Sequence, residues 1–143
     1  MVRIMSVDRL TDEDVKEILT KYRKIALVGA SPKPERDANK VMRYLIEHGY
    51  EVYPVNPHYE EVLGRKCYSS VLDIPDEVEI VDIFVRPEFA MDYVEQAIKK
   101  GAEVVWFQFN TYSQEAFKRA KEAGLMAVAH RCMKQEHERL IGD

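Results

Sequence analysis

The chain has few of the features that would make its purpose obvious. It holds two cysteines, Cys67 and Cys132, in 143 residues. That excludes a disulfide framework, and their separation matches no metal-knuckle spacing. No apolar run approaches the roughly 20 residues a membrane span needs, and Met1 to Met5 is too short for a secretion signal, so a cytoplasmic location is expected. Basic excess is also missing: the formal net charge is -4, with both signs interspersed, which argues against a nucleic-acid partner. Glycines number six, and they do not form the three-glycine dinucleotide fingerprint. What remains is a chain with 46% hydrophobic residues, enough to close one core, so residues 1–143 are expected to form one domain.

Short apolar runs alternate with amphipathic segments. Strands are predicted at 25–28, 51–55, 80–85, 103–107 and 125–129, and helices at about 11–22, 37–48, 87–100 and 113–123. Thr11 is expected to cap the first helix and Asp37 the second, while 70–74 reads as a short helix-like stretch after a long irregular connection. Near-continuous apolar strands imply burial on both faces, hence an α/β fold: a five-stranded parallel sheet with helices on both faces, in three layers. Ligands of such sheets lie beyond the carboxyl ends of the strands.

The residues after each strand are therefore the candidates. After the first come Gly29, Ala30 and Ser31, small enough for close backbone approach, then Lys33 and Arg36, with Lys40 one turn into the helix. Glycine turn, basic loop and helix N-terminus together suit a phosphate, although Glu35 and Asp37 dilute the charge and a solvated loop has the same composition. After the second strand stands Asn56, where a dinucleotide site usually places a carboxylate to grip the ribose. A phosphorylated ribose prefers the neutral amide, with Arg65 or Lys66 in reach, which points to coenzyme A or an NADP-like ligand. After the third, Phe84 and Val85 precede Arg86, which can hold an adenine or phosphate or else pair with Glu88. Gln108, Phe109 and Asn110 follow the fourth, as ligand contacts or loop anchors, and Trp106 and Phe107 are read as core. Cys132 with His130 and His137 is the one set resembling a nucleophile and base, but sequence proximity is poor evidence for it, and a tail that packs, or pairs with a second subunit, is the simpler reading. Trp106 and Tyr112 near one sheet end suggest a homodimer contact or an internal one.

The segments 28–36, 49–57, 63–68 and 131–137 jointly resemble small, single-domain CoA-binding proteins, similar to the CoA-binding domain of the succinyl-CoA synthetase α-subunit. The resemblance runs from about Lys24 to Leu140 and implies a Rossmann-like fold in which loops after strands one to three hold coenzyme A. By position it nominates Gly29, Ala30, Ser31, Lys33, Pro34, Arg36, Asn56, Pro57, Phe84, Val85 and Arg86. Two departures stand out: Tyr59 occupies the place of a synthetase lysine, which Arg65 or Lys66 would have to replace, and Asn110 stands where small members tend to have glycine. The synthetase's second domain, with its phosphorylated histidine, has no counterpart here, so its ligase activity is not expected to carry over. The expected function is thus binding of CoA or acyl-CoA, a small-molecule ligand, without an evident catalytic apparatus. An NADP-dependent oxidoreductase or a nucleotide-sensing regulatory module is the alternative.

Overall fold

The computed structural model describes residues 7–142. Helix α1, Asp12–Lys21, begins at the expected cap: Asp14 N–H donates to Thr11 Oγ1 at 3.1 Å, and Thr11 N–H returns a bond to Asp14 Oδ2 at 2.9 Å. Strand β1, Lys24–Val28, and helix α2, Asp37–Glu47, follow. The N-cap of α2 is Arg36, with no side-chain cap bond, and Asp37 is the first helical residue rather than the cap. Strand β2, Glu51–Val55, leads to a hairpin that the irregular reading of this stretch did not contain: β3, Glu61–Val62, paired with β4, Arg65–Lys66. A 3-10 turn at Val71–Asp73 precedes β5, Ile80–Ile83, which is shorter than expected because Phe84 already turns into the loop. Then come α3, Pro87–Lys100; β6, Val104–Phe107; α4, Gln114–Glu122; β7, Met126–Ala129; and α5, Met133–Leu140.

The five long strands form one parallel sheet in the order β2-β1-β5-β6-β7. Pro54 is tolerated in β2 because that strand lies at the edge of this sheet: its carbonyl accepts from Tyr68 N–H at 2.9 Å, and the missing N–H would point the same way. From β1 the chain steps one way across the sheet, and from β5 and β6 the other. Crossovers of one hand therefore send α2 to one face and α3 and α4 to the opposite face. The first face packs α1, α2 and α5 around Leu27, Ile80, Trp106 and Val128. The second packs α3 and α4 around Val28, Val81, Val105 and Phe107. Strand order reverses between β1 and β5, so their carboxyl ends open a crevice for a ligand.

Trp106 is completely buried, and its indole N–H donates to Arg131 O at 2.8 Å. It is core, as expected, and offers nothing to a second subunit. The segment after β7 is helix α5, docked by the buried Met133 and His137.

Candidate functional site

Two cavities meet at the β1 and β5 ends. Gly29 has φ +88°, and a Cβ there would stand 3.1–3.2 Å from Phe84 and Val85. A side chain would be strained by the backbone and would push the loops after β1 and β5 apart. Gly29 N–H donates to Val55 O at 2.9 Å, tying the same turn to β2.

The larger cavity, about 490 Å³, lies over the loop from Gly29 to Ala38 and is closed by Asn56, Tyr59, Phe84 and Phe109. Ala30, Ser31, Lys33 and Arg36 all line it. So does the first turn of α2, whose backbone donors have no partner within the helix. The loop is held from behind by side chains the sequence did not single out. Asn39 Nδ2 donates to Ser31 O at 2.9 Å, and Arg43 Nε to Asn39 Oδ1 at 2.8 Å. Arg43 Nη2 also reaches Pro34 O at 3.2 Å, so Pro34 shapes the loop from outside the lining of the cavity.

A second cavity of about 470 Å³ adjoins the first at Gly29, Asn56 and Phe84 and extends along α3. Pro57, Val85 and Arg86 line it, with Phe89 and Tyr93 from α3. The Arg86 guanidinium lies 5.6 Å from the Phe89 ring centroid, which leaves a flat, cationic and aromatic wall. Phe89 and Tyr93 stand four apart on one helix face, a pattern visible in the sequence but indistinguishable there from a core stripe.

Asn56 touches both cavities, yet its carboxamide is taken up structurally: Nδ2 donates to Ala30 O at 2.9 Å and Oδ1 accepts from His58 N–H at 2.9 Å. It joins the β1 and β2 loops. Arg65 and Lys66 sit on β4 and line neither cavity, and the Lys66 ammonium lies 5.4 Å from the Tyr68 ring centroid. The hairpin directs them elsewhere, whereas Tyr59 itself faces the larger cavity.

A third cavity, about 220 Å³, lies between α2 and α5 and borders the first at Asp37, Phe84 and Phe109. Lys40, Gln108, Cys132 and Lys134 line it. Lys40 therefore lines this cavity and not the one over the loop from Gly29 to Ala38. Burial pushes the Cys132 thiol above its ordinary range, against the pull of the Gln135 and Lys134 backbone N–H groups. The imidazoles are engaged elsewhere: the His130 ring centroid lies 4.7 Å from that of Tyr112, and His137 Nδ1 stands 2.7 Å from the Tyr44 hydroxyl. Asn110 adopts φ +66°, a conformation that asparagine tolerates better than most residues, so the departure from glycine costs little there.

Comparison with known proteins fits this arrangement. The model of a family described as CoA binding domain matches residues 23–138. The chain belongs to the CoA-binding domain family. The match takes in every strand of the parallel sheet and all three cavity-forming loops. YneT of Bacillus subtilis is 36% identical over 124 residues, covering 87% of this chain and 92% of that one. The α subunit of ADP-forming acetate–CoA ligase I of Pyrococcus furiosus is 42% identical over 95 residues, covering 62% of this chain and 21% of the subunit. The chain thus corresponds to about a fifth of that ligase subunit. A solved protein of Pyrococcus horikoshii OT3 is 72% identical with a TM-score of 0.98, over 99% of this chain and all of that one. Among the described residues, no helix of this CoA-binding domain is long and apolar enough to cross a membrane.

Proposed function

We propose that this domain binds coenzyme A or an acyl-CoA along the carboxyl ends of β1, β2 and β5, and that its role is binding rather than turnover. The observation that carries the proposal is the junction at Gly29, Asn56 and Phe84, where the cavity over the basic loop after β1 opens into an aromatic, cationic one. Coenzyme A is a nucleotide joined by a diphosphate to a long arm that ends in a thiol. The diphosphate suits the N–H of Ser31 and those of Asp37 and Ala38 in the first turn of α2, with Lys33 and Arg36 as counter-charges. The base suits the space beside Val85 and Arg86. The arm then has a path past Phe84 and Phe109 into the third cavity, where its thiol or acyl end meets Gln108 and Cys132. Membership in the family supports the same ligand, and the ligase relatives' reaction belongs to far longer chains.

Calorimetric titration with CoA at low and high salt, with NADP and NAD as controls, tests the proposal. The expected result is selective CoA binding that weakens as salt screens the diphosphate contacts. Equal binding of NADP, or no CoA binding, overturns it.

A further inference from the structure

Asp82 is an acid in the middle of an otherwise apolar strand. It lies in β5 between Leu27 of β1 and Trp106 of β6 and is entirely buried. Gln108 Nε2 donates to its Oδ1 at 2.6 Å, while Oδ2 has no hydrogen-bond partner among the described residues. A buried carboxyl with an unmet oxygen is costly and calls for a reason. Gln108, its partner, lines the third cavity together with Cys132. A carboxamide has two unlike ends, a donor and an acceptor. With Nε2 committed to Asp82, Oε1 is the end left for the cavity.

We propose that Asp82 sets which end of the Gln108 carboxamide the third cavity presents: an ionised Asp82 leaves Oε1 to accept from a thiol, and a neutral Asp82 turns the amide so that Nε2 donates to a thioester carbonyl. The inference rests on the coenzyme A reading above. In the ionised state Asp82 only accepts, so Nε2 must face it. In the neutral state a hydroxyl on Oδ1 needs an acceptor, which Oε1 supplies after a half turn of the amide, and the unpartnered Oδ2 is then an uncharged carbonyl oxygen, which costs less to bury. The proton exchanges with solvent, and no covalent bond is made or broken.

Burial pushes the Asp82 carboxyl up to about 8, against the lowering effect of the Gln108 bond, so both states are accessible near neutral pH. The titratable groups around the pair are Cys132 before α5, Lys134 within α5, and Asp37 and Lys40 of α2. Strands β1 and β6 contribute the uncharged Leu27 and Trp106.

The test is calorimetric affinity of the full chain for CoA and for acetyl-CoA at about pH 6 and about pH 8.5, on either side of the carboxyl's range. In the wild type the preference for acetyl-CoA over CoA falls roughly threefold to tenfold between the two, the worth of one hydrogen bond. In Asp82→Asn, an isosteric change, the preference no longer moves with pH. A pH-independent preference in the wild type overturns the inference, as does a shift that survives Asp82→Asn. Failure of CoA to bind the wild type overturns the binding proposal itself, whereas CoA binding with a constant preference overturns only this inference.

Discussion

The two faces of the sheet bury different things. Beneath α3 and α4 the core is alanine, valine, isoleucine and phenylalanine, including Val81, Ile83, Val105, Phe107 and Ala129 of the sheet and Ala90, Val94, Ala116 and Phe117 of the helices. Beneath α1, α2 and α5 the apolar core is interrupted by Asn39, Asp82 and His137, all buried. The apolar face needs only shape and hydrophobic burial to be stable. The polar face accepts desolvation costs, and its buried polar groups lie behind or beside the cavities: Asn39 holds the loop after β1, Asp82 holds Gln108, and His137 joins α5 to α2 through Tyr44. The side under α1, α2 and α5 carries the buried polar groups that hold the loops, at some expense in stability, while the apolar side lends α3, with Phe89 and Tyr93, as a wall of the second cavity.

Substitutions should separate the two. Phe107→Ala, on the apolar face, is expected to cost about 3–5 kcal/mol in chemical denaturation. Once the folded protein is saturated, it should leave the relative affinities for CoA and NADP unchanged. Gly29→Ala is expected to cost roughly 1–2 kcal/mol for its left-handed backbone, and to weaken CoA more than tenfold as the loops separate. Comparable CoA affinity in that variant would show that the loop junction is not the ligand seat. Asn39→Ala frees the loop from α2, and about 1 kcal/mol of stability with a severalfold loss of CoA affinity is expected. Arg36→Ala should cost little stability, while CoA binding should weaken and lose part of its salt dependence.

Proton linkage gives the smallest and most discriminating contrast. Burial raises the Asp82 carboxyl to about 8 in the folded state. Its contribution to stability is therefore complete below the ordinary carboxyl range of about 4 and is lost progressively as pH rises to about 8. Burial, assisted by His48 and Arg23, lowers His137 below its ordinary value. Its contribution is thus present above about pH 6.5 and is lost as pH falls through the depressed folded value. Unfolding curves across pH should show Asp82→Asn flattening the decline from about pH 4 to about pH 8 and His137→Gln flattening the one on the acid side of about pH 6.5. The same declines in both variants would assign them to other groups.

Much of the fold was legible because β1, β5 and β6 are short apolar runs that only double-sided burial explains, and the glycine after β1 marks the crevice in the sequence itself. The β3–β4 hairpin was not legible. Its turn needs a left-handed backbone at both central residues, and Leu63 with φ +52° gives no such signal beside Gly64. Helix α5 was hidden by its polar composition, since the chain shows only a charged tail where the structure buries Met133 and His137. At the site, the small and basic residues after β1 could be read from type and order. The division of labour among amides could not: Asn56 and Gln108 look alike in sequence, and only folding shows that one binds two loops and the other an acid. The sequence does not show that Asp82 is buried, because a residue letter carries no burial.

The central claim is that one ligand lies across the joined cavities at the β1 and β5 ends. Backbone amide chemical shifts recorded during a CoA titration test it residue by residue. The account predicts that the largest changes fall on Gly29, Ala30, Ser31, Phe84 and Arg86, with a second set at Gln108 and Cys132 marking the end of the arm. Changes confined to the opposite groove, beside Leu10, Tyr22 and Met126, would contradict it.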